Sequence, residues 1–158
     1  MIQLLVLYLI GITSATDCPD GWLAFHGSCY LFGSGNIHFT EAEAYCRQHD
    51  NSGLVHVDTR EEDMFLKGYM ADHLKVDIDY WLGMTDELVE GIWKLNDGDN
   101  TVAPYLDWAP SEPQDAFEGE DCAMFGHLLK FRWADVACTT SRAALCELRV
   151  GQQNEVIG

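Results

Sequence analysis

The stretch Glu112-Pro113-Gln114-Asp115-Ala116-Phe117-Glu118-Gly119-Glu120-Asp121-Cys122 puts five carboxylates within ten residues. Like charges this close repel and raise one another's pKa values unless water or a cation neutralises them. A hard divalent cation answers that need. Calcium takes roughly six to eight oxygen ligands from carboxylates, amides, backbone carbonyls and water, all of which this stretch offers, whereas magnesium demands a stricter octahedron. A solvated acidic loop is the competing reading of the run taken alone.

Working outward, Asp86 and Glu90 stand four residues apart just after an apolar run, and Asp135 follows Trp133-Ala134. No EF-hand spacing is present, so a calcium site has to be assembled from distant segments. The acidic stretch closes a polar, Pro-containing segment, Asn96 to Asp121. That is too long for an ordinary connection in a compact domain and marks a functional or mobile loop.

The rest of the chain mixes both kinds of regular structure. Trp22 to Phe32 reads as two short aromatic-rich runs around Gly27, a hairpin. Thr40 with Glu43 forms a capping-box signature, followed by Ala42, Tyr45, Cys46 and His49 on one helical face. Thr59 with Glu62 repeats the signature before the stripe Phe65, Leu66, Tyr69, Met70, His73, Leu74. Strand-like runs follow at Tyr80–Gly83, Ile92–Leu95, Cys122–Phe125, Phe131–Ala134 and Ala143–Leu148. The expected class is α+β.

Residues 1–16 carry no charge, include the apolar run Leu4 to Ile10 and end in small residues, which reads as a secretory signal peptide despite the missing basic start. The run is well short of the roughly 20 apolar residues a spanning helix needs. A single domain over 17–150 and a short polar tail over 151–158 follow, with no internal repeat. Six cysteines in an exported chain favour disulfides over metal thiolates, although six permit about fifteen pairings. With all six paired, no cysteine is left for a covalent dimer, and a non-covalent homo-oligomer stays open. The net charge of −17 across 158 residues repels phosphate backbones and anionic headgroups, which makes nucleic acid and acidic membrane surfaces poor partners and favours bound cations, and with no other stretch long enough to cross a bilayer no membrane insertion is expected.

Trp81-Leu82-Gly83-Met84, Glu112-Pro113-Gln114-Asp115, Gly119-Glu120-Asp121-Cys122, Trp133-Ala134-Asp135 and the order of the six cysteines resemble the C-type lectin domain, in its long form with an extra N-terminal hairpin. The match runs from about Cys18 to Leu148. The resemblance implies two helices with antiparallel sheets and a long calcium-binding loop. It also implies the pairs Cys18 with Cys29, Cys46 with Cys146 and Cys122 with Cys138, and a cis Glu112-Pro113 bond. By the same resemblance, one Ca2+ is held by Asp86, Glu90, Asp115, the Glu120 carbonyl and Asp121. A second, sugar-contacting Ca2+ falls to Glu112, Gln114, Glu120 and Asp135.

In such a site two vicinal sugar hydroxyls replace water on the ion, and the ligands that hold it also bond the hydroxyls. Glu112 only accepts hydrogen bonds, whereas the Gln114 amide also donates. Glu before Pro resembles members that prefer equatorial diols of the mannose type. Two positions depart from the pattern: Gln114 is a methylene longer than Asn, and Ala134 stands where an Asn ligand is usual, leaving a water, Glu118 or His127 to fill the gap. Losing one good hydrogen bond to a metal-bound partner costs about 1.5 to 3 kcal/mol, roughly tenfold to a hundredfold in affinity.

The expected function is therefore a secreted, extracellular lectin for glycans on cell or microbial surfaces, acting in innate immune recognition or agglutination. The alternative is a lectin-like protein-interaction or mineral-surface module that keeps the structural calcium without binding sugar. No enzyme is expected, because a glycosidase acid pair needs pKa values driven apart rather than pinned by one ion. The five tryptophans are read as packing more than as sugar platforms.

Overall fold

The computed structural model describes residues 18–74, 77–114 and 119–150. The leader reading of 1–16, the tail 151–158, and the positions Asp115 and Glu118 lie outside those residues. Two four-stranded sheets carry the domain, in the orders β1-β2-β8-β3 and β5-β4-β6-β7. The first comprises β1 (Leu23–Phe25), β2 (Ser28–Phe32), β3 (Gly53–Leu54) and β8 (Leu145–Arg149). The second comprises β4 (Tyr80–Thr85), β5 (Lys94–Leu95), β6 (Cys122–Phe125) and β7 (Trp133–Val136). Every pairing between these strands is antiparallel.

β1 and β2 form the expected hairpin, which turns through His26 and Gly27 at φ of 44° and 83°. Four other strands differ from the sequence reading, the first being β4, which runs on past Gly83 to Thr85. Only Lys94 and Leu95 of the Ile92–Leu95 run pair. The Phe131–Ala134 run becomes Trp133–Val136, because a 3-10 turn over His127–Leu129 and left-handed Lys130 and Phe131 take up the connection. The last strand starts at Leu145 rather than Ala143.

The first helix, α1 (Phe39–Gln48), corrects the expected cap. His38, not Thr40, is the N-cap, and its backbone N–H donates to the Glu41 carboxylate at 2.8 Å. The reason is Phe39, which is buried edge-on against Trp81 with ring centroids 5.6 Å apart, so the helix begins early enough to bring it inside. Glu43, released from a capping role, accepts from the Asn96 amide at 2.9 Å. His49, expected on the helical face, is the C-cap residue.

The second helix, α2 (Arg60–His73), starts where the sequence places it, with the Thr59 side chain accepting from the Glu62 amide at 3.2 Å. Leu66 and Met70 from its stripe are fully buried. Glu62 turns inward instead of closing the box, accepting from the Tyr30 hydroxyl at 2.6 Å and the Asp58 amide at 2.9 Å. Burial pushes its carboxyl above the ordinary range, although both bonds oppose that.

Three disulfides join Cys18 to Cys29, Cys46 to Cys146 and Cys122 to Cys138, the pairs the resemblance implies. The second spans a sequence separation of 100 and ties α1 to β8. In the chain-entropy model a loop of that length restricts the denatured state by about 4.7 kcal/mol. Between the sheets and α2 lies the main core, built on Tyr30, Leu66, Met70, Leu82, Phe125, Trp133 and Leu145. Gly83 in β4 is required by crowding. A Cβ there would stand 2.5 Å from Asn96 Oδ1 and 2.8 Å from the Leu54 carbonyl, so a larger residue would displace the strand that leads to Asp86. Among the described residues no helix is long and apolar enough to cross a membrane.

Candidate metal centre and ligand face

Strand β4 ends at Thr85, which pairs with Cys122 at the start of β6, so the residues just beyond each strand end meet. The Asp86 amide donates to the Asp121 carbonyl at 3.2 Å. From there the chain turns tightly back, and Gly91, at φ 77°, donates its amide to Asp86 Oδ2 at 2.9 Å. This turn brings Glu90 round to the same place: one oxygen from each of Asp86, Glu90 and Asp121 lies within 4.8 Å of the others. Next to Asp121 the buried Cys122 anchors the segment through its bond to Cys138.

The cluster passes a test that a merely solvated acidic surface fails. Asp86 is 3% exposed, and its Oδ1 is buried without a hydrogen-bond partner. A buried, unpaired carboxylate oxygen is costly and calls for a cation. Burial, with Asp121 adding to it, pushes the Asp86 carboxyl above its usual range in spite of the bond from Gly91 and of the Glu90 side chain beside it. The donors are all hard oxygens, the set that suits calcium. Among the described residues this is the one acidic group that converges so tightly, and the Glu112, Glu120 and Asp135 carboxylates do not form a second.

Those three residues belong to a separate, more open face. The Glu112-Pro113 bond is cis. Beyond it, Gln114 is exposed, and its side-chain amide donates to Glu112 Oε1 at 2.6 Å. Its backbone N–H donates to Asp135 Oδ1 at 2.9 Å. Asp135 is buried in β7 opposite Ala123, so it forms the back of this face while Glu112 and Gln114 form its rim. Partial burial and the neighbouring Asp135 carboxyl hold Glu112 above the ordinary carboxylate range. Glu120 is half-buried and follows Gly119, whose φ is 100°.

Ala134 lies in β7 opposite Met124 and is 4% exposed, and its methyl side chain has no oxygen to bring to this face. His127 does not fill the gap either: its Nδ1 and backbone N–H both engage Asp79 Oδ1, at 2.6 and 2.8 Å, on the turn after the far end of β6. Trp81, Trp93 and Trp133 are buried, and Trp108 leans on Trp93 and Trp133, so packing is their visible role.

One set of residues was not anticipated. Asp63 and Lys67 of α2 reach the long loop, with Lys67 bonding both Asp63 and Asp107. The available signal was periodicity: Asp63 precedes Leu66 by three residues and Met70 by seven, which places a carboxylate on the buried stripe of the helix.

The model of the lectin C-type domain matches residues 36–148 of the chain. This protein belongs to the C-type lectin domain family. Mouse asialoglycoprotein receptor 1 is 35% identical over 144 residues, covering 88% of this lectin chain and 47% of the receptor. A C-type lectin of Thrasops jacksonii, one of the lectoxins, is 30% identical over 149 residues, covering 92% of each chain. The solved human scavenger receptor C-type lectin carbohydrate-recognition domain superposes with a TM-score of 0.72 at 30% identity, over 84% of this lectin and 98% of that domain. The lectin spans less than half the length of the receptor it matches.

Proposed function

We propose that this C-type lectin is a secreted, extracellular, calcium-dependent binding protein for glycans that display mannose-type equatorial diols on cell or microbial surfaces. The observation that carries the reading is the pairing of Glu112 and Gln114 at 2.6 Å on an exposed turn, with Asp135 behind them. A carboxylate that accepts and an amide that donates, set side by side, can each engage one of two adjacent hydroxyls. The relatives that are named as lectins or carbohydrate-recognition domains support it.

Asp86, Glu90 and Asp121 would hold the structural ion, together with Asp115 and the Glu120 carbonyl; Glu112, Gln114, Glu120 and Asp135 would serve the sugar-contacting one. When bound, calcium neutralises the clustered carboxylates and offers coordination positions to sugar hydroxyls. The chain's own part is orientation. Asp135 fixes the Gln114 backbone, and the Glu112 carboxylate swings its bond from the Gln114 amide to a hydroxyl proton, leaving that amide free to donate to the neighbouring oxygen. With no oxygen from position 134, a single sugar binds weakly, and useful avidity arises on multivalent surfaces.

Retention on a mannan resin tests this. The protein should bind with calcium, elute with free mannose and elute again with chelator. Retention that persists in chelator, or that mannose leaves untouched, overturns the sugar reading. The second reading, a protein-interaction or mineral-surface module with structural calcium alone, is favoured by the buried Ala134. It predicts no retention on the resin together with a calcium-dependent rise in Tm.

A further inference from the structure

We propose that Asp63 and Lys67 of α2 are positioning residues for the ligand face, forming a latch that sets the segment carrying Glu112 and Gln114 against the strand carrying Asp135. The inference rests on the reading of that face given above and adds what holds it in shape.

Asp63 is 2% exposed, yet it gathers three donors: Lys67 Nζ at 2.5 Å, Trp133 Nε1 at 3.0 Å and the Tyr105 hydroxyl at 3.3 Å. Lys67 also bonds the Asp107 carboxylate, whose other oxygen accepts from Arg132 at 3.2 Å. One helix thus grips both the long loop, at Tyr105 and Asp107, and the start of β7, at Trp133. The charges balance two against two, and Lys67 stands between the two acids. Burial pushes Asp63 above the ordinary carboxylate range and also raises Asp107, but for Asp107 the two cations win and hold it below that range.

The gripped points are where the two binding segments are joined. The Trp133 amide donates to the Asp107 carbonyl at 3.0 Å, and the Ala109 amide donates to the Trp133 carbonyl at 2.8 Å, forming a parallel bridge between Trp108 and Trp133. From this bridge the Glu112 amide bonds back to the Ala109 carbonyl at 3.0 Å, and two residues along β7 Asp135 takes the Gln114 amide at 2.9 Å. Every bond on the path from α2 to the ligand face is present. The Asp86 turn, which hangs from the far end of β4, is not on that path.

That separation gives the test an internal reference. Lys67→Met keeps the length of the side chain and removes the cation, leaving Asp63 and Asp107 to repel. Amide hydrogen exchange, read residue by residue with calcium and again after chelation, should be about tenfold faster at Glu112 and Gln114 and unchanged at Gly91. Asp107→Asn, at a more exposed position, should act the same way, and Lys67→Arg should restore slow exchange. Equal acceleration at all three amides, or none at Glu112 and Gln114, overturns the latch. Retention of the same variants on mannan resin is a separate arm. If the unmodified protein fails to bind there, the sugar reading falls, while the exchange data still decide the latch.

Discussion

Asp86 lies almost wholly buried just past a central strand, with one oxygen accepting from Gly91 and the other buried without a hydrogen-bond partner, in a cluster with two more acids. Glu112 and Gln114 stand at the surface, where amide and carboxylate already bond each other and Asp135 holds the backbone. The first cluster holds one buried oxygen without a partner, which a cation would satisfy. The second already bonds within itself, and on the proposed function it would trade those bonds for those of a guest. On the proposed function, a site that keeps its ligand and one that exchanges it would differ in unspent hydrogen-bonding capacity more than in residue type.

The largest effect that separates them is on stability. Calcium at about a hundred times its Kd should stabilise the fold by about 2.7 kcal/mol, raising Tm by several degrees in a thermal scan. Asp86→Asn should abolish that rise and, by removing a buried charge, raise the Tm of metal-free protein. A variant that keeps the full calcium response would erase the distinction between the clusters. A smaller effect is expected at the open face. Ala134→Asn should tighten mannose binding about tenfold by calorimetry. It should also lower stability by about 1 kcal/mol or more in denaturant titration, because it enlarges a residue that is 4% exposed. Tighter binding with no stability loss would mean that β7 opens more readily than its packing shows.

The smallest effect is a control with the sign worked out. Burial raises Glu62 above its ordinary 4.5. The folded state therefore holds that proton more tightly than the unfolded chain does, and its contribution is lost as pH rises through the folded value. Glu62→Gln should flatten the fall in stability above about pH 4.5. Because Glu62 faces Tyr30 rather than either cluster, the flattening should be the same with calcium and without it. A calcium-dependent change would connect this core carboxylate to the ion and blur the comparison. Asp107 has the opposite sign: its lowered carboxyl contributes stability above its ordinary range, lost as pH falls.

Local chemistry is legible in the sequence wherever a few neighbouring residues decide the outcome. Thr59 caps α2, and the hairpin turns at Gly27, because each depends on a cap or turn residue acting within its own turn. The start of α1 escapes such reading because Phe39 answers to Trp81, a partner remote in sequence. β3 escapes it because two residues, Gly53 and Leu54, become a strand only through pairing with β8. At the site, the acidic run and the Asp86–Glu90 pair can be read directly. Which acids converge depends on where β4 and β6 end, and that is a property of sheet register. The Asp63–Lys67 pair has the spacing of an ordinary surface ion pair, and its reach to Asp107 is visible only when the loop is folded over it.

The Cys18–Cys29 bond and the contact of the Val150 amide with the Gly27 carbonyl bring the two ends of the domain to one hairpin. Among the described residues, Asp86 follows β4, Asp121 leads into β6 and Asp135 lies within β7, all strands of the other sheet. A pulling force applied at either end of the domain would therefore load the hairpin sheet first, and reach the strands that lead to the acidic cluster only through it.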